Sequence, residues 1–326
     1  MLQKNTLQDL ITGITKKERR SLAKAITLIE SMNENDKILA DALLSGLTAL
    51  SKNAIRIGIS GSPGVGKSTF IENFGLFLIS LGKKVAVLAV DPSSPLTGGS
   101  ILGDKTRMLN LSNHPDSFIR PSPSGGSLGG VARKTKDAIS LCEAFGFDII
   151  LVETVGVGQS EVAVCGITDI FLLLLQPGAG DELQGIKKGI MEIADIVIVN
   201  KADGKNKVTA EIAKSEVEAA LSFSHPKNSF WKTPVQLVSA LEKSGLEDLW
   251  SRIQDFFEKS GDSILTNREK QNEKWFWVSL EESILEKISD IRNSEESAKI
   301  LTLLNSKKIS FQKALEEAQI LLKVKL

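Results

Sequence analysis

The chain has 326 residues, enough for one substantial α/β domain with appendages or for two small domains. Apolar residues make up 42% and charged residues 25%, and 40 Lys plus Arg balance 40 Asp plus Glu, so the formal net charge is zero. That balance argues against a non-specific nucleic-acid binder, which needs a basic excess to displace counterions, and leaves only local basic patches open. Cys142 and Cys165 lack CxxC spacing, which points away from a disulfide framework or structural zinc and towards two small buried apolar residues. The first residues, Met1 to Thr6, lack the apolar core of a signal peptide. No stretch reaches the ~20 apolar residues of a membrane span. A cytoplasmic protein with no membrane or nucleic-acid partner is expected.

In chain order, residues 1–52 read as a helical extension. Leu22, Ile26 and Ile29 fall at i, i+4, i+7, and Leu39, Leu43 and Leu47 continue that spacing. Residues 53–260 then alternate short β-branched runs with helical stretches. The runs are Ile55–Ser60, Val85–Val90, Asp148–Glu153, Ile170–Gln176, Ile196–Asn200 and Val235–Ser239. Several are apolar nearly throughout, as strands covered on both faces are. The predicted fold is therefore α/β, with a mostly parallel sheet flanked by helices and a ligand beyond the carboxyl ends of the strands. Residues 261–326 form a helical arm with two apolar stripes, one of Trp277, Leu280, Ile284, Ile288 and Ile291, the other of Phe311, Leu315, Ala318 and Leu322. Two long amphipathic helices of this kind either pack on the domain or join two copies of the chain.

Gly61-Ser62-Pro63-Gly64-Val65-Gly66-Lys67-Ser68 fits G-x-x-x-x-G-K-[ST], and Thr69 continues into a helix. The motif follows an apolar strand and opens a helix, the setting that a phosphate-binding P-loop requires. Its glycines let consecutive backbone N–H groups turn inward as an anion nest, and the helix N-terminus adds partial positive charge. Lys67 is placed to bridge the β- and γ-phosphates, and the Ser68 hydroxyl to coordinate Mg²⁺.

Three acids are candidates for that metal: Asp91 and Glu153 at strand ends, and Asp104 in a polar, Gly-rich loop spanning residues 93–107. Each also reads as a solvated carboxylate or a helix cap. Glu153-Thr154-Val155-Gly156 has the acid-x-x-Gly form in which the glycine N–H senses the γ-phosphate. Residues 176–182 make a further flexible, acidic strand-end loop.

The strand Ile196–Val199 runs into Asn200-Lys201-Ala202-Asp203, an N-K-x-D sequence about 130 residues after the P-loop. The Asp203 carboxylate can accept from guanine N1–H and the 2-amino group, a donor pair that adenine lacks. Asn200 braces the loop and the Lys201 stem can lie over the base. One strand later, Ser239-Ala240 supplies the backbone N–H expected for guanine O6, and Leu241 completes the expected GTP-binding residues. GTP and GDP are thus the expected substrate and product, with Mg²⁺ as cofactor.

With Asp91-Pro92-Ser93-Ser94-Pro95, Gly103-Asp104-Lys105-Thr106-Arg107-Met108, Glu153 to Glu161 and the N-K-x-D sequence, the chain resembles the MeaB/ArgK family of P-loop GTPases. The resemblance spans about residues 10–260, and the arm follows it loosely. It implies a chaperone of adenosylcobalamin-dependent acyl-CoA mutases, notably methylmalonyl-CoA mutase, gating the loading or protection of the cofactor. It also implies a homodimer built partly by the arm. The D-x-H-x-x-G signature of histidine-ligated cobalamin is absent, and His114 and His225 are the only histidines, so any cobalamin is expected on the partner.

Lys67, Glu153, Asp104 and Gly156 are the candidate catalytic group. Val157 stands where Ras-like proteins keep a water-positioning glutamine, Gln159 lies nearby, and no arginine is placed as a finger. Such parts are each worth orders of magnitude in phosphoryl transfer, so hydrolysis is expected to be slow alone and faster with a partner. Two other readings compete: a P-loop kinase linked to amino-acid (arginine) transport, and a non-enzymatic scaffold with structural nucleotide.

Overall fold

Four apolar runs of the central region are buried at every position, the pattern of strands with helices on both faces. The computed structural model describes residues 2–31, 33–50, 53–90, 108–121, 128–154, 160–178, 188–223 and 227–325. Seven strands form one sheet: β1 (Ile55–Gly61), β2 (Val85–Val90), β3 (Ser117–Pro121), β4 (Ile149–Thr154), β5 (Ile170–Leu175), β6 (Ile196–Val199) and β7 (Val235–Leu237). Their order is β3-β2-β4-β1-β5-β6-β7 and every pairing is parallel. β1 lies between β4 and β5, where the winding of the sheet changes direction, so the crevice beyond its carboxyl end is the expected ligand position. The predicted strands are all present within a residue or two. β3 is the addition: only Phe118 and Ile119 are apolar in it, and Pro121 closes it, which an edge strand tolerates.

The N-terminal extension forms α1 (Leu2–Thr15), α2 (Arg19–Glu30) and α3 (Glu34–Leu47). The predicted stripe is the buried face: Leu22, Ala25, Ile26 and Ile29 on α2, and Leu43 and Leu47 on α3. Asn33 caps α3 by accepting from the Asn35 N–H at 2.9 Å. Glu30 ties α2 to the edge strand through Arg120, at 2.5 Å, and its carbonyl accepts from Lys134 at 2.7 Å. Cys142 is buried, whereas Cys165 is only partly so and lies 3.6 Å from the Lys227 ammonium.

Directly after β1 comes α4 (Lys67–Ser80), whose Phe70, Ile71, Phe74 and Leu78 are fully buried against the sheet. Phe70 and Phe74 stack at 5.4 Å, and both join Ile57, Ile59, Leu172 and Ile198 in the main core. Burial of such side chains is worth roughly 1.5–3 kcal/mol each, and this packing aims the start of α4 at the end of β1. At the amino-terminal ends of the strands, opposite the crevice, Asp169 and Asp195 precede β5 and β6. Asp169 takes Arg268 at 2.6 and 2.7 Å and the Arg56 N–H at 2.9 Å. Asp195 takes Lys227 and the Phe171 N–H, each at 2.9 Å. These buried carboxylates are saturated with donors and lie away from the crevice.

By its internal packing the chain divides into two units, Met1–Arg268 and Glu269–Leu326. A 30-residue helix, Ser263–Arg292, begins in the first and runs on into the second. The two long arm helices expected from the sequence are three: this one, then Glu295–Asn305 and Phe311–Lys325. Ser294 interrupts the run by capping the second helix, accepting from the Ser297 N–H at 3.2 Å. Of the first arm stripe only Ile291 is buried; Trp277, Leu280 and Ile288 are exposed, as are Phe311 and Leu315 of the second.

Candidate nucleotide-binding site

The loop from Gly61 to Lys67 leaves β1 beside β5. A Cβ on Gly61 would stand 2.5 Å from the Leu174 carbonyl oxygen, so only glycine lets the loop start this close to the neighbouring strand. Gly66 closes the loop in the left-handed region at φ +94°, and a Cβ there would lie 2.8 Å from Asn200 Nδ2. Val65 is fully buried, pinning the loop, while Pro63 and Gly64 are exposed at its tip and Ser62 and Ser68 are partly buried. Ser68 and Thr69 fall in the first turn of α4, where backbone N–H groups lack helical partners.

Lys67 is buried and curls back over the loop, donating to the Gly61 carbonyl at 2.6 Å and the Ser62 carbonyl at 3.2 Å. Burial pulls its pKa below the ordinary lysine value, and the carboxylates of Glu153 and Glu161 act against that shift. Glu153, the fifth residue of β4, is buried and lies in register with Ile59 of β1. The structure thus brings Glu153 close enough to Lys67 to act on its charge.

The N-K-x-D segment is joined to this loop by direct bonds. Asn200 is 1% exposed; its Nδ2 donates to the Val65 carbonyl at 2.9 Å, and its Oδ1 accepts from the Ala240 N–H at 3.1 Å. One side chain therefore holds the phosphate loop, its own loop and the 239–241 loop together. Lys201, in the left-handed region at φ +59°, stretches over to donate to the Gly64 carbonyl at 2.6 Å. Asp203 accepts a hydrogen bond from the Ser239 hydroxyl, which in turn accepts from the Glu242 N–H at 3.0 Å. Ser239 is fully buried, Ala240 is buried and Leu241 is exposed. Of the remaining candidates, Asp91, Asp104 and Gly156 lie outside the described residues.

Four further side chains at this site are given no individual role by the sequence motifs. Thr154, the last residue of β4, donates to the Ser60 hydroxyl at 2.8 Å, and Ser60 donates to Glu161 at 3.5 Å. All three are buried. Gln176, at the end of β5, lies 3.5 Å from the Lys201 ammonium. In the sequence Thr154 and Glu161 appear only as members of the Glu153-to-Glu161 stretch, and the adjacency of β1 and β4 is what gives them a place at the site.

The family described as "Methylmalonyl Co-A mutase-associated GTPase MeaB" matches residues 22–293. The chain belongs to this MeaB family. Similar proteins include "GTPase ArgK" of Escherichia coli, 46% identical over 288 residues that cover 87% of each chain. "Methylmalonic aciduria type A homolog, mitochondrial" of Mus musculus is 45% identical over 289 residues, covering 85% of this chain and 70% of the mouse protein. Among solved structures, that of a "LAO/AO transport system kinase" superposes with a TM-score of 0.75 at 35% identity, covering 98% of both chains. This MeaB-family chain is a P-loop GTPase that binds GTP and GDP and hydrolyses GTP. Among the described residues, no helix is long and apolar enough to cross a membrane.

Proposed function

We propose that this chain is a GTP-driven regulator of an adenosylcobalamin-dependent acyl-CoA mutase, with methylmalonyl-CoA mutase as the partner suggested by the family description. The observation that carries the nucleotide part is the Asn200 clamp, which ties the N-K-x-D segment containing Asp203 to the P-loop. Gly61 to Thr69 hold the phosphates, and Lys67 neutralises the charge that develops on the γ-phosphoryl oxygens. Asp203 reads guanine N1–H and the 2-amino group, with Ser239 fixing its orientation. Since the Ala240 N–H is given to Asn200, we assign guanine O6 to the Leu241 N–H.

The candidate metal ligands beside the phosphate loop are all oxygens. The Ser68 hydroxyl in the first turn of α4 and the buried Glu153 carboxylate at the end of β4 suit a small, hard cation such as Mg²⁺. Asp91 and Asp104 are further proposed ligands, and Gly156 the proposed γ-phosphate sensor. Bound Mg²⁺ would draw charge from the phosphoryl oxygens. The exposed apolar stripes of the arm favour a homodimer through residues 261–326, and a cytoplasmic location is inferred.

The test measures GTP and ATP hydrolysis with and without a purified methylmalonyl-CoA mutase. GTP turnover that is slow alone and rises with the mutase is expected. Turnover unaffected by the mutase would sink the partner assignment, and ATP turnover matching GTP would sink the base assignment. The likeness to a transport-system kinase favours a second reading, phosphoryl transfer linked to amino-acid transport. ATP-dependent phosphorylation of an added amino acid would support that reading instead.

A further inference from the structure

Glu161 is a buried carboxylate in the first turn of a six-residue helix, Ser160–Cys165, and the nucleotide contacts above leave it without a task. Its exposure is 1%, and a carboxylate so deeply placed is costly unless donors or cations surround it. Two such groups belong to the phosphate site. Ser60 donates to Glu161 Oε1 at 3.5 Å, and Ser60 is the residue immediately before Gly61, the first of the phosphate loop. The Lys67 ammonium lies near enough for Glu161 to act on its charge. Ser60 also accepts from Thr154 at 2.8 Å, because β1 and β4 are adjacent parallel strands with Ile59 opposite Glu153.

The chain Thr154–Ser60–Glu161 therefore has a particular topology. Thr154 is the last residue before positions 155–159, and Glu161 follows just after them. Both are fastened to one hydroxyl at the root of the phosphate loop. On the reading of this site as the GTP site, we propose that Glu161 is a positioning residue for GTP hydrolysis. It acts through Ser60 and Lys67 to hold the Ser160–Cys165 helix in register with the phosphate loop. Affinity for nucleotide rests on the Asn200 clamp at the other side of the loop, whereas turnover needs the β4 side in place as well.

The experiment compares Glu161→Gln, Ser60→Ala and the double variant of the full chain, reading GTP and GDP dissociation constants and kcat. Glu161→Gln keeps the shape and an acceptor but removes the charge. Both dissociation constants should stay within about threefold of wild type while kcat falls at least about tenfold, the signature of an interaction needed for the step rather than for binding. The double variant should fall no further than Glu161→Gln alone, because the two residues act as one unit. An unchanged kcat in Glu161→Gln would overturn the proposal, as would equal losses of GTP and GDP affinity with kcat intact. Should Glu161→Gln fail to fold, Thr154→Val and Ser60→Ala decide by the same criteria. Intact binding with unchanged turnover would sink this inference alone, whereas loss of guanine preference in wild type would sink the site reading beneath it.

Discussion

Replacing Asn200 by alanine removes two hydrogen bonds at once, and the structure sets the scale of the loss. The Val65 carbonyl and the Ala240 N–H, both on buried residues, would lose their only bond to this side chain. A buried polar group left unsatisfied costs ~1–3 kcal/mol, so the pair costs ~2–6 kcal/mol if neither loop relaxes. Partial relaxation of the two loops lowers that figure, and ~2–3 kcal/mol is the expected loss. For a unit of this size that corresponds to a fall in Tm of about 4–12 °C, readable by calorimetry on ligand-free protein. Nucleotide binding must then draw the loosened loops together again, and if ~2 kcal/mol of that work falls on binding, GDP affinity drops about thirtyfold in a titration. Wild-type Tm together with wild-type GDP affinity would refute the claim that Asn200 joins the three loops.

Asp203→Asn should behave differently, since Asp203 is partly exposed and meets Ser239 rather than the phosphate loop. Losing the charge-assisted pair costs ~1.5–3 kcal/mol, about ten- to a hundredfold in GTP affinity, with Tm nearly unchanged. Xanthosine triphosphate, whose 2-oxo group accepts from the new amide, should gain affinity in the same titration. Gly66→Ala should lower the ligand-free Tm more than Gly64→Ala does. Both glycines have positive φ, but a Cβ on Gly64 meets nothing within 4 Å whereas one on Gly66 meets Asn200 at 2.8 Å. Equal losses would mean that backbone strain alone explains both. Asp137 supplies the pH test: burial raises its pKa to about 6 from 3.8, Arg133 and Lys136 oppose the rise, and Asp41 adds to it. Because the folded pKa is the higher, the group's contribution is fully present below about pH 4 and is lost as pH rises through about 6. That loss is at most ~3 kcal/mol, and less because the side chain is only partly buried. Asp137→Asn should therefore raise Tm at pH 7 and flatten the Tm profile between pH 4 and 7, and an unaltered profile would dismiss the assignment.

The parts of the molecule that are legible in the sequence are those whose physics is local. Continuous apolar runs such as Ile170–Leu175 read as buried strands because their burial needs no knowledge of neighbours. The P-loop and N-K-x-D sequence are legible for a similar reason: each carries its glycines, cation or carboxylate within a few residues. What stays hidden depends on residues brought together across the fold. Ser60, Thr154 and Glu161 are ordinary polar residues until β1 and β4 pair, with Ser60 and Thr154 94 positions apart. Asp169 looks like a charge preceding a strand, and Arg268, 99 positions later, makes it a buried ion pair. β3 escapes a sequence reading because its two apolar residues give no period. The arm reads as two helices rather than three because the apolar stripes end at Ile291 and resume at Phe311, leaving the short helix Glu295–Asn305 between them unmarked.

The bonds across the loops bear on how such a GTPase divides its work. Adjacent residues of the base-reading segment grip adjacent residues of the phosphate loop: Asn200 takes the Val65 carbonyl and Lys201 the Gly64 carbonyl. With this segment as the proposed base reader, recognition of the base would be wired to the shape of the phosphate loop through these two hydrogen bonds. On the other flank, Lys67, Glu153 and Glu161 share one buried charge environment near the ends of β1 and β4. The cost of keeping an ammonium and two carboxylates out of water there is repaid only when their geometry is correct. On the proposed assignment, the Asn200 side would serve nucleotide binding and the β4 side turnover, the division that a switch requires of its two halves.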